Sequence, residues 1–467
     1  MLLPFSIIIV RLGTSSGHIY LSDDLATLDL NVRTALHFRQ QLGMAPTPYG
    51  FSHPGPAYFY ILSLIARCIG SGARADFVGA AVVNGVCGLG TVWLVRRRAG
   101  PLPALWAALC LAYLALILTS STSPYEDPAG VFVSPWNPDG VIFPLVLFGS
   151  LCVAGAVGSS VSLIGAAVVG SVVIQSNLGT IPVVSVLMFV ALIASCVRAV
   201  ITKNVGSAPR NPFCPAEGDS STAHRFQWLT AAGIAVLILI WLPPLLQELA
   251  TSPGNLTLIW RFVVHHHTTQ SWNVGLWSIV TIDGMLMFGF RYSAFGNYEV
   301  GGLGSPPHHA LFVLVTVLLI GILAVALGIV LRRPFAAGLG VISLVGFLVN
   351  VFAATRIVGP VSTYLIVWEV AMPALGIMGL GIAALPGWDE AQQRSREEGR
   401  NELGFRMWGA SCSESPLLRN LPRVATWGLG CLLTSLLLVK TVDLPLLGGA
   451  SYPPVAAAST MITAHLH

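Results

Sequence analysis

"PGPAYFYILSLIARCIG", residues 54–70, is apolar enough to enter a membrane, and whether it crosses one decides the topology of everything after it. The rest of the chain makes the question unavoidable. Of its 467 residues, 54% are hydrophobic and only 9% are charged, whereas soluble domains carry roughly 25% charged residues. That balance marks an all-α polytopic membrane protein, with the lipid bilayer as its surroundings and no nucleic-acid partner expected.

Further apolar segments long enough to span lie at 77–95, 101–119, 141–158, 160–176, 181–200, 228–247, 307–331, 335–354, 361–385 and 425–445. If 54–70 also crossed, Arg96, Arg97 and Arg98, the loop 201–227 and the arginine-rich segment 386–424 would all face outward, against the positive-inside rule. If it lies in the interface, the inner side collects 15 of the 24 Lys and Arg residues. The expected architecture is therefore about 10–11 transmembrane helices, with an interfacial helix in the first outer loop. The opening MLLPFSIIIV is ten residues, about 15 Å of helix against a hydrocarbon core about 30 Å thick. That first span is either short and supported by neighbours or begins upstream of this chain.

On this topology residues 1–445 form one membrane domain with outer loops 12–76, 120–140 and 248–306. The inner loops 201–227 and 386–424 read as solvated connectors, and 446–467 is a short outer tail. Arginine outnumbers lysine 22 to 2, and Ala, Gly and Val abound, which points to a GC-rich genome. The eight cysteines lie mostly in apolar runs and form no CxxC pair, so neither a disulfide framework nor a cysteine metal site is expected.

The unusual polar residues concentrate in the outer loops. Ser22 followed by Asp23 and Asp24 reads as a helix start, a hydroxyl cap with acids where the helix dipole favours negative charge. Leu25, Leu28, Val32, Leu36 and Phe38 then give a helix lying on the membrane surface, on which Asp29 and Arg33 form an i,i+4 pair. In "SHPGPAYFY", residues 52–60, Pro54 and Pro56 stiffen a turn that can hold His53 in place ahead of an aromatic interfacial segment. Trp136, Asn137 and Asp139 sit between prolines as a rigid polar rim whose stacking and hydrogen-bonding groups suit a glycan, although a stiff interfacial turn explains it almost as well. Gln175 and Asn177 stand at the outer end of a span, where buried amides need partners from a ligand or from neighbouring helices.

The third outer loop holds "WRFVVHHHTTQSW", residues 260–272. His265, His266 and His267 would point about 100° apart on a helix, so no metal site is assigned to them. Arg261, Arg291 and Arg356 lie next to spans and suit a lipid-linked phosphate, or serve as headgroup anchors. Glu369 falls inside the expected span 361–385, where a carboxylate must be paired or line a cavity. Asn255-Leu256-Thr257 matches a glycosylation acceptor, relevant only in a host that glycosylates such sites.

Through "DLATLDLNVR" (24–33), "SHPGPAYFY", "SPWNP" (134–138) and "QSNLG" (175–179), the chain resembles the C-type glycosyltransferase (GT-C) fold over residues 20 to 370. That class includes protein O-mannosyltransferases, lipid A aminoarabinose transferases and actinobacterial mannosyl- and arabinofuranosyltransferases. The resemblance implies a polyprenyl-phosphate-linked sugar donor and a cell-envelope glycan, glycolipid or protein acceptor, at the extracytoplasmic face of a bacterial plasma membrane. It implies Asp24 as general base, with Asp23 as the competing choice. Arg33, His53, Arg261 and Arg356 are candidates to neutralise the departing phosphate. Asp29, Trp136, Asn137, Asp139, Gln175 and Asn177 are candidate substrate contacts. Asp23, Asp24 and Asp29 could instead hold a divalent cation.

Two departures from the family bear on the site and the acceptor. Asn177 stands where relatives more often carry histidine, and the residues after 445 are too few for the carbohydrate-binding domain of several arabinosyltransferases, so a short acceptor or a partner subunit is expected. The competing classes are a lipid-linked sugar transporter or flippase and a non-catalytic subunit of an envelope assembly complex. A transporter should carry polar, broken helices near the midplane in two matched halves. Here no internal repeat is visible, and the polar residues gather on one face.

Overall fold

The computed structural model describes residues 2–14, 21, 23–45, 49–120, 131–204, 220–265, 270–288 and 309–385. Among the described residues the regular elements are helices: α1 (Leu2–Thr14), α2 (Asp23–Leu36), α3 (Ala57–Ile69), α4 (Ala73–Ala99), α5 (Pro101–Ser120), α6 (Asn137–Gly140), α7 (Ile142–Ala156), α8 (Ser160–Ser176), α9 (Ile181–Asn204), α10 (Ser220–Ala250), α11 (Asn255–His265), α12 (Trp272–Phe288), α13 (Ala310–Val330), α14 (Pro334–Thr355) and α15 (Ala371–Ala384). Short 3-10 turns occupy Leu178–Thr180, Thr363–Leu365 and Val367–Val370.

Eight stretches among the described residues are long and apolar enough to cross a membrane: Ala73–Ala99, Pro101–Leu118, Asn137–Ala156, Leu178–Ile201, Gln227–Ala250, Ala310–Val330, Pro334–Thr355 and Val367–Ala384. The chain is thus a polytopic membrane protein. The expected run 160–176 is α8, one residue short of that length, and the expected run 425–445 lies outside the described residues. The segment that opened the question becomes α3, whose 13 residues reach about 20 Å and do not cross a core of about 30 Å. It packs on α2, α4 and α8, and leaves Leu64 and Ile69 exposed. The opening segment is also a 13-residue helix, α1, held against α4 with the Phe5 ring 4.7 Å from that of Phe132.

Charge distinguishes the two ends of the bundle. Arg96, Arg97 and Arg98 close α4 at Gly100, and Arg332 and Arg333 stand in the tight turn between α13 and α14. Arg333 donates to the carbonyls of Ile382 and Ala383 at the finish of α15, so these helices end together at one arginine end. The opposite end carries α2, α3, α6, α11 and the turns before α15. It also carries α12, which the sequence left inside a loop. Gln270, just before α12, donates to the Thr355 carbonyl (2.8 Å), and Trp272 meets Phe352 in the last turn of α14. At its other end Phe288 meets Phe312 in the first turn of α13, and the Met287 carbonyl accepts from the Tyr113 hydroxyl (2.6 Å). Both ends of α12 therefore reach the same end of the bundle, and the helix lies obliquely across it.

The core that holds this arrangement is aromatic and aliphatic: Phe77, Phe132, Phe143, Phe148, Phe347 and Trp368 are fully buried. Helix α10 is the outermost element, with 6% of its apolar window buried, and it touches mainly α8 and α11. Its apolar side chains face outward because lipid tails solvate Leu and Ile as well as a protein core does.

Candidate functional site

Helix α2 organises the acidic end. Leu28, Val32 and Ala35 on one stripe are buried against Tyr58, Phe59, Leu62 and Ala66 of α3. Phe38 does not extend that stripe as the sequence suggested: it lies beyond the helix with φ +56°, 78% exposed, its ring stacked on Tyr60. The buried stripe fixes where the acids point. Asp29 pairs with Arg33 at 2.8 Å, the carboxylate side being 13% exposed and the arginine 52%. It also faces Asp76, in the first turn of α4, which is fully buried. The Tyr58 hydroxyl, buried nearby, has its pKa raised by burial first and then by the charges of Asp76 and Asp139. Gly140 makes this approach possible, since a Cβ there would stand 2.6 Å from the Tyr58 oxygen. Arg33, Asp29, Asp76, Tyr58 and Asp139 thus form a polar seam between α2, α3, α4 and α6.

Asp24 is half-buried, whereas Asp23 is exposed with φ +49°. Tyr364, in the turn Thr363–Leu365, has its phenol pKa raised by burial and then by the charge of Asp24. Its ring lies 5.1 Å from that of Trp136. Asp24 therefore lies near Tyr364, which a segment remote in sequence contributes and which packs on Trp136.

The stiff turn 52–56 is fastened from three sides. Gly43 donates to the His53 carbonyl (3.1 Å) and His53 donates to the Met44 carbonyl (2.8 Å). Asn255, 3% exposed, grips the Ser52 peptide with both ends of its amide, at 2.7 and 3.1 Å. Buried in this way, it is not an accessible glycosylation site. The third tie is to His53 itself, whose Nδ1 accepts from the Leu178 N–H (3.0 Å). An imidazole accepting there is neutral and carries its proton on Nε2. Burial lowers the pKa of His53 from 6.5 to about 4 and keeps it in that form.

Several residues read from sequence as substrate contacts are occupied by the protein. Gln175 accepts from the Ala57 N–H (3.3 Å) and donates to the Ile240 carbonyl (3.1 Å), and its side chain sits where a Cβ on Gly55 would be. Asn177 caps the turn Leu178–Thr180 by accepting from the Gly179 N–H (2.9 Å). Asn137 donates to the Ser176 carbonyl (2.9 Å). Trp136, Asn137 and Asp139 form no exposed rim but are buried, at 3, 6 and 2% exposure. These groups position the turns around the site.

Arg261 and Arg356 are exposed, the latter at the C-terminal cap of α14, and neither is drawn into the seam. Arg291, His266, His267 and Ser22 lie outside the described residues. Glu369 is not in mid-span: it stands in the turn that precedes α15, fully buried, and it faces Asp283 and Asn350 rather than an arginine. The sequence reading missed Asp76, Tyr364 and Asp283, and took Asn255 only as part of a glycosylation acceptor. Asp76 borders an apolar run and looks like the edge of a span. Asp283 had a signal, a lone acid in the apolar stretch "SIVTIDGMLMF" of residues 278–288.

No family model matches the chain, and no curated protein matches it in sequence. In three dimensions it is similar to ArnT from Cupriavidus metallidurans in the apo state, with TM-score 0.44 and 14% identity over 97% of this chain and 73% of that one. It is similar to ArnT bound to undecaprenyl phosphate, with TM-score 0.42 and 14% identity over 98% of this chain and 73% of that one. The archaeal oligosaccharyltransferase AglB from Archaeoglobus fulgidus, in complex with an inhibitory peptide and a dolichol-phosphate, gives TM-score 0.33 and 14% identity over 98% of this chain and 58% of that one.

Proposed function

We propose that the chain is an integral membrane glycosyltransferase that moves a sugar, hexosyl or pentosyl, from a polyprenyl-phosphate carrier to a hydroxyl of a cell-envelope glycan, glycolipid or protein. The observation that carries the proposal is the half-buried Asp24 near Tyr364, at the end of the bundle opposite the arginines. A half-buried carboxylate near the partly exposed Tyr364 ring offers a base and a stacking surface within one site. The positive-inside pattern supports an extracytoplasmic position for that end.

In this mechanism the acceptor hydroxyl gives its proton to Asp24 as its oxygen attacks the anomeric carbon. The bond from that carbon to the carrier phosphate oxygen breaks, and the carrier leaves as a phosphate. Negative charge builds on the phosphate, where positive groups or aimed N–H donors stabilise it. Arg33, more than half exposed and paired with Asp29 in the seam, and the Nε2–H of neutral His53 are the groups proposed for that role. Asp23, pointing to solvent, is the weaker candidate for base.

The test is turnover by the protein in nanodiscs with a panel of polyprenyl-phosphate sugars, reading release of carrier phosphate with and without crude envelope glycan. One donor should be consumed by wild type and spared by Asp24→Asn. If no donor is consumed while a fluorescent lipid-linked sugar crosses the bilayer, the chain is a transporter.

A further inference from the structure

Between Asp29 and Asp76 the chain carries four arginines, Arg33, Arg39, Arg67 and Arg74, and no acidic residue. They stand at the end of the bundle opposite Arg96, Arg97 and Arg98, so the positive-inside tendency does not account for them. Arg33 is engaged by Asp29 in the seam. Two others meet at the corner where α2 ends against α3. Arg67 donates to the carbonyl of Leu36, the last residue of α2, at 2.6 Å, and its guanidinium lies 5.8 Å from the centre of the Phe38 ring. Arg39, next to Phe38 in sequence, is exposed, and its backbone N–H is fastened to the Thr34 carbonyl (3.2 Å).

Phe38 shows what kind of surroundings this corner has. It closes α2 in the left-handed region, which a helix end ordinarily gives to glycine or asparagine and a bulky side chain rarely adopts. That conformation leaves the ring exposed, against Tyr60 on one side and Arg67 on the other. On the same face of α3, between Tyr60 and Arg67, stands the exposed Leu64, and Ile69 is exposed at the helix end. Exposed aromatic and aliphatic side chains interleaved with arginines suit the boundary between lipid tails and headgroups. The corner lies at that depth because α3 is too short to cross and packs beside the span Ala73–Ala99. We propose that Arg39, Arg67 and Phe38 bind the phosphate headgroup of an anionic bilayer lipid, whose chains lie along Leu64 and Ile69.

A guanidinium presents its N–H donors as a planar fork that matches phosphate oxygens. The Leu36 carbonyl takes one donor of Arg67 and the Phe38 ring covers the group, so the fork is held in place before a ligand arrives. An aqueous anion would use the arginines but gain nothing from Leu64 and Ile69, whereas a lipid uses both. The bound lipid holds the ends of α2 and α3, two helices too short to cross, at the membrane surface. It leaves Asp24, in the first turn of α2, and the seam untouched.

The test places full-length protein in phosphatidylcholine nanodiscs with phosphatidylglycerol that carries a photoactivatable group beside its phosphate, and maps the adducts by mass spectrometry. Wild type should give saturable adducts on residues 37–39 and 64–69, suppressed by unlabelled phosphatidylglycerol and not by inorganic phosphate. One basic residue at an anionic lipid surface changes affinity about five-fold, so Arg39→Gln should raise the half-saturating lipid fraction by about that factor. The double variant Arg39→Gln, Arg67→Gln should raise it about thirty-fold. Arg39→Gln keeps the bond from Arg67 to Leu36, so it answers the question even where the double variant fails to fold. Arg97→Gln, at the arginine end, should leave these adducts unchanged. The proposal is overturned if the adducts do not saturate, or if Arg39→Gln binds as wild type does. It is also overturned if inorganic phosphate or a soluble acidic peptide suppresses them as well as the lipid does, which would assign an aqueous partner. Displacement by a trace of polyprenyl phosphate overturns it too, by assigning the corner to the carrier. No sugar donor enters the measurement, so the result stands apart from the fate of the transferase proposal.

Discussion

The fold places two groups of carboxylates at one end of the bundle and treats them in opposite ways. In the seam under α2, Asp29 has Arg33 within 2.8 Å and Asp24 keeps partial access to water beside Tyr364. Under α12, Asp283 and Glu369 have no such counter-charge and no exposure. A carboxylate that must take and release a proton needs a route to solvent and a pKa within reach. A carboxylate pair closed into the interior has no such route and is held against its neighbours. The same side chain therefore suits a reaction in one region and an interior contact between helices in the other.

The largest effect should come from Asp24→Asn, which removes the proposed base and nothing from the packing. Turnover should fall about 10²–10⁴-fold while the unfolding temperature stays within error. An equal loss in Asp23→Asn would break the contrast between the two neighbours.

Asn255→Ala should come next, read as stability. It leaves the Ser52 N–H and C=O without their partner, at a cost of about 1–3 kcal/mol if water does not replace it. A lower urea midpoint with unchanged slope checks this.

His53 gives a smaller, pH-dependent term. Its folded pKa of about 4 lies below the ordinary histidine value of 6.5, so as pH falls from 6.5 towards 4 the unfolded chain gains a proton that the folded chain refuses. Stability should decline across that window and be unaffected by this group above it. The decline should be shallower in His53→Gln, and equal slopes in the two proteins would show that His53 is not held neutral.

The smallest effect on stability belongs to Arg33→Gln. Its partner Asp29 is 13% exposed but Arg33 itself is 52% exposed, so the pair is expected to contribute less than about 1 kcal/mol. A large change in donor KM without a change in unfolding temperature would sharpen its assignment to phosphate.

Much of the membrane architecture was legible because it follows from the chemistry of a run. Nine of the expected apolar segments, from 77–95 to 361–385, lie on helices α4, α5, α7 to α10 and α13 to α15. Helix α2 was legible too, since Asp23, Asp24 and the spaced Leu28 and Val32 state a start and a face. Helix α12 was not: its 17 residues are interrupted by Asp283 and flanked by polar residues, a pattern shared by loops. In the candidate site, the pair Asp29–Arg33 could be read from i,i+4 spacing, while Tyr364 beside Asp24 joins residues 340 apart, and no local pattern records that.

The sequence by itself determined that the chain lives in a bilayer, which segments are apolar enough to cross and that 54–70 lies at the interface, because transfer free energy and charge asymmetry act on segments one at a time. Only the tertiary structure decided which polar groups are spent on the protein and which face one another. Gln175, Asn177 and Asn137 read as free amides in the chain and are bound to backbone in the fold. Asp283 and Glu369 read as isolated acids and meet in the interior. Hydrogen bonds and charge pairs act over a few ångströms, and distances of that size between remote segments exist only once the helices have packed.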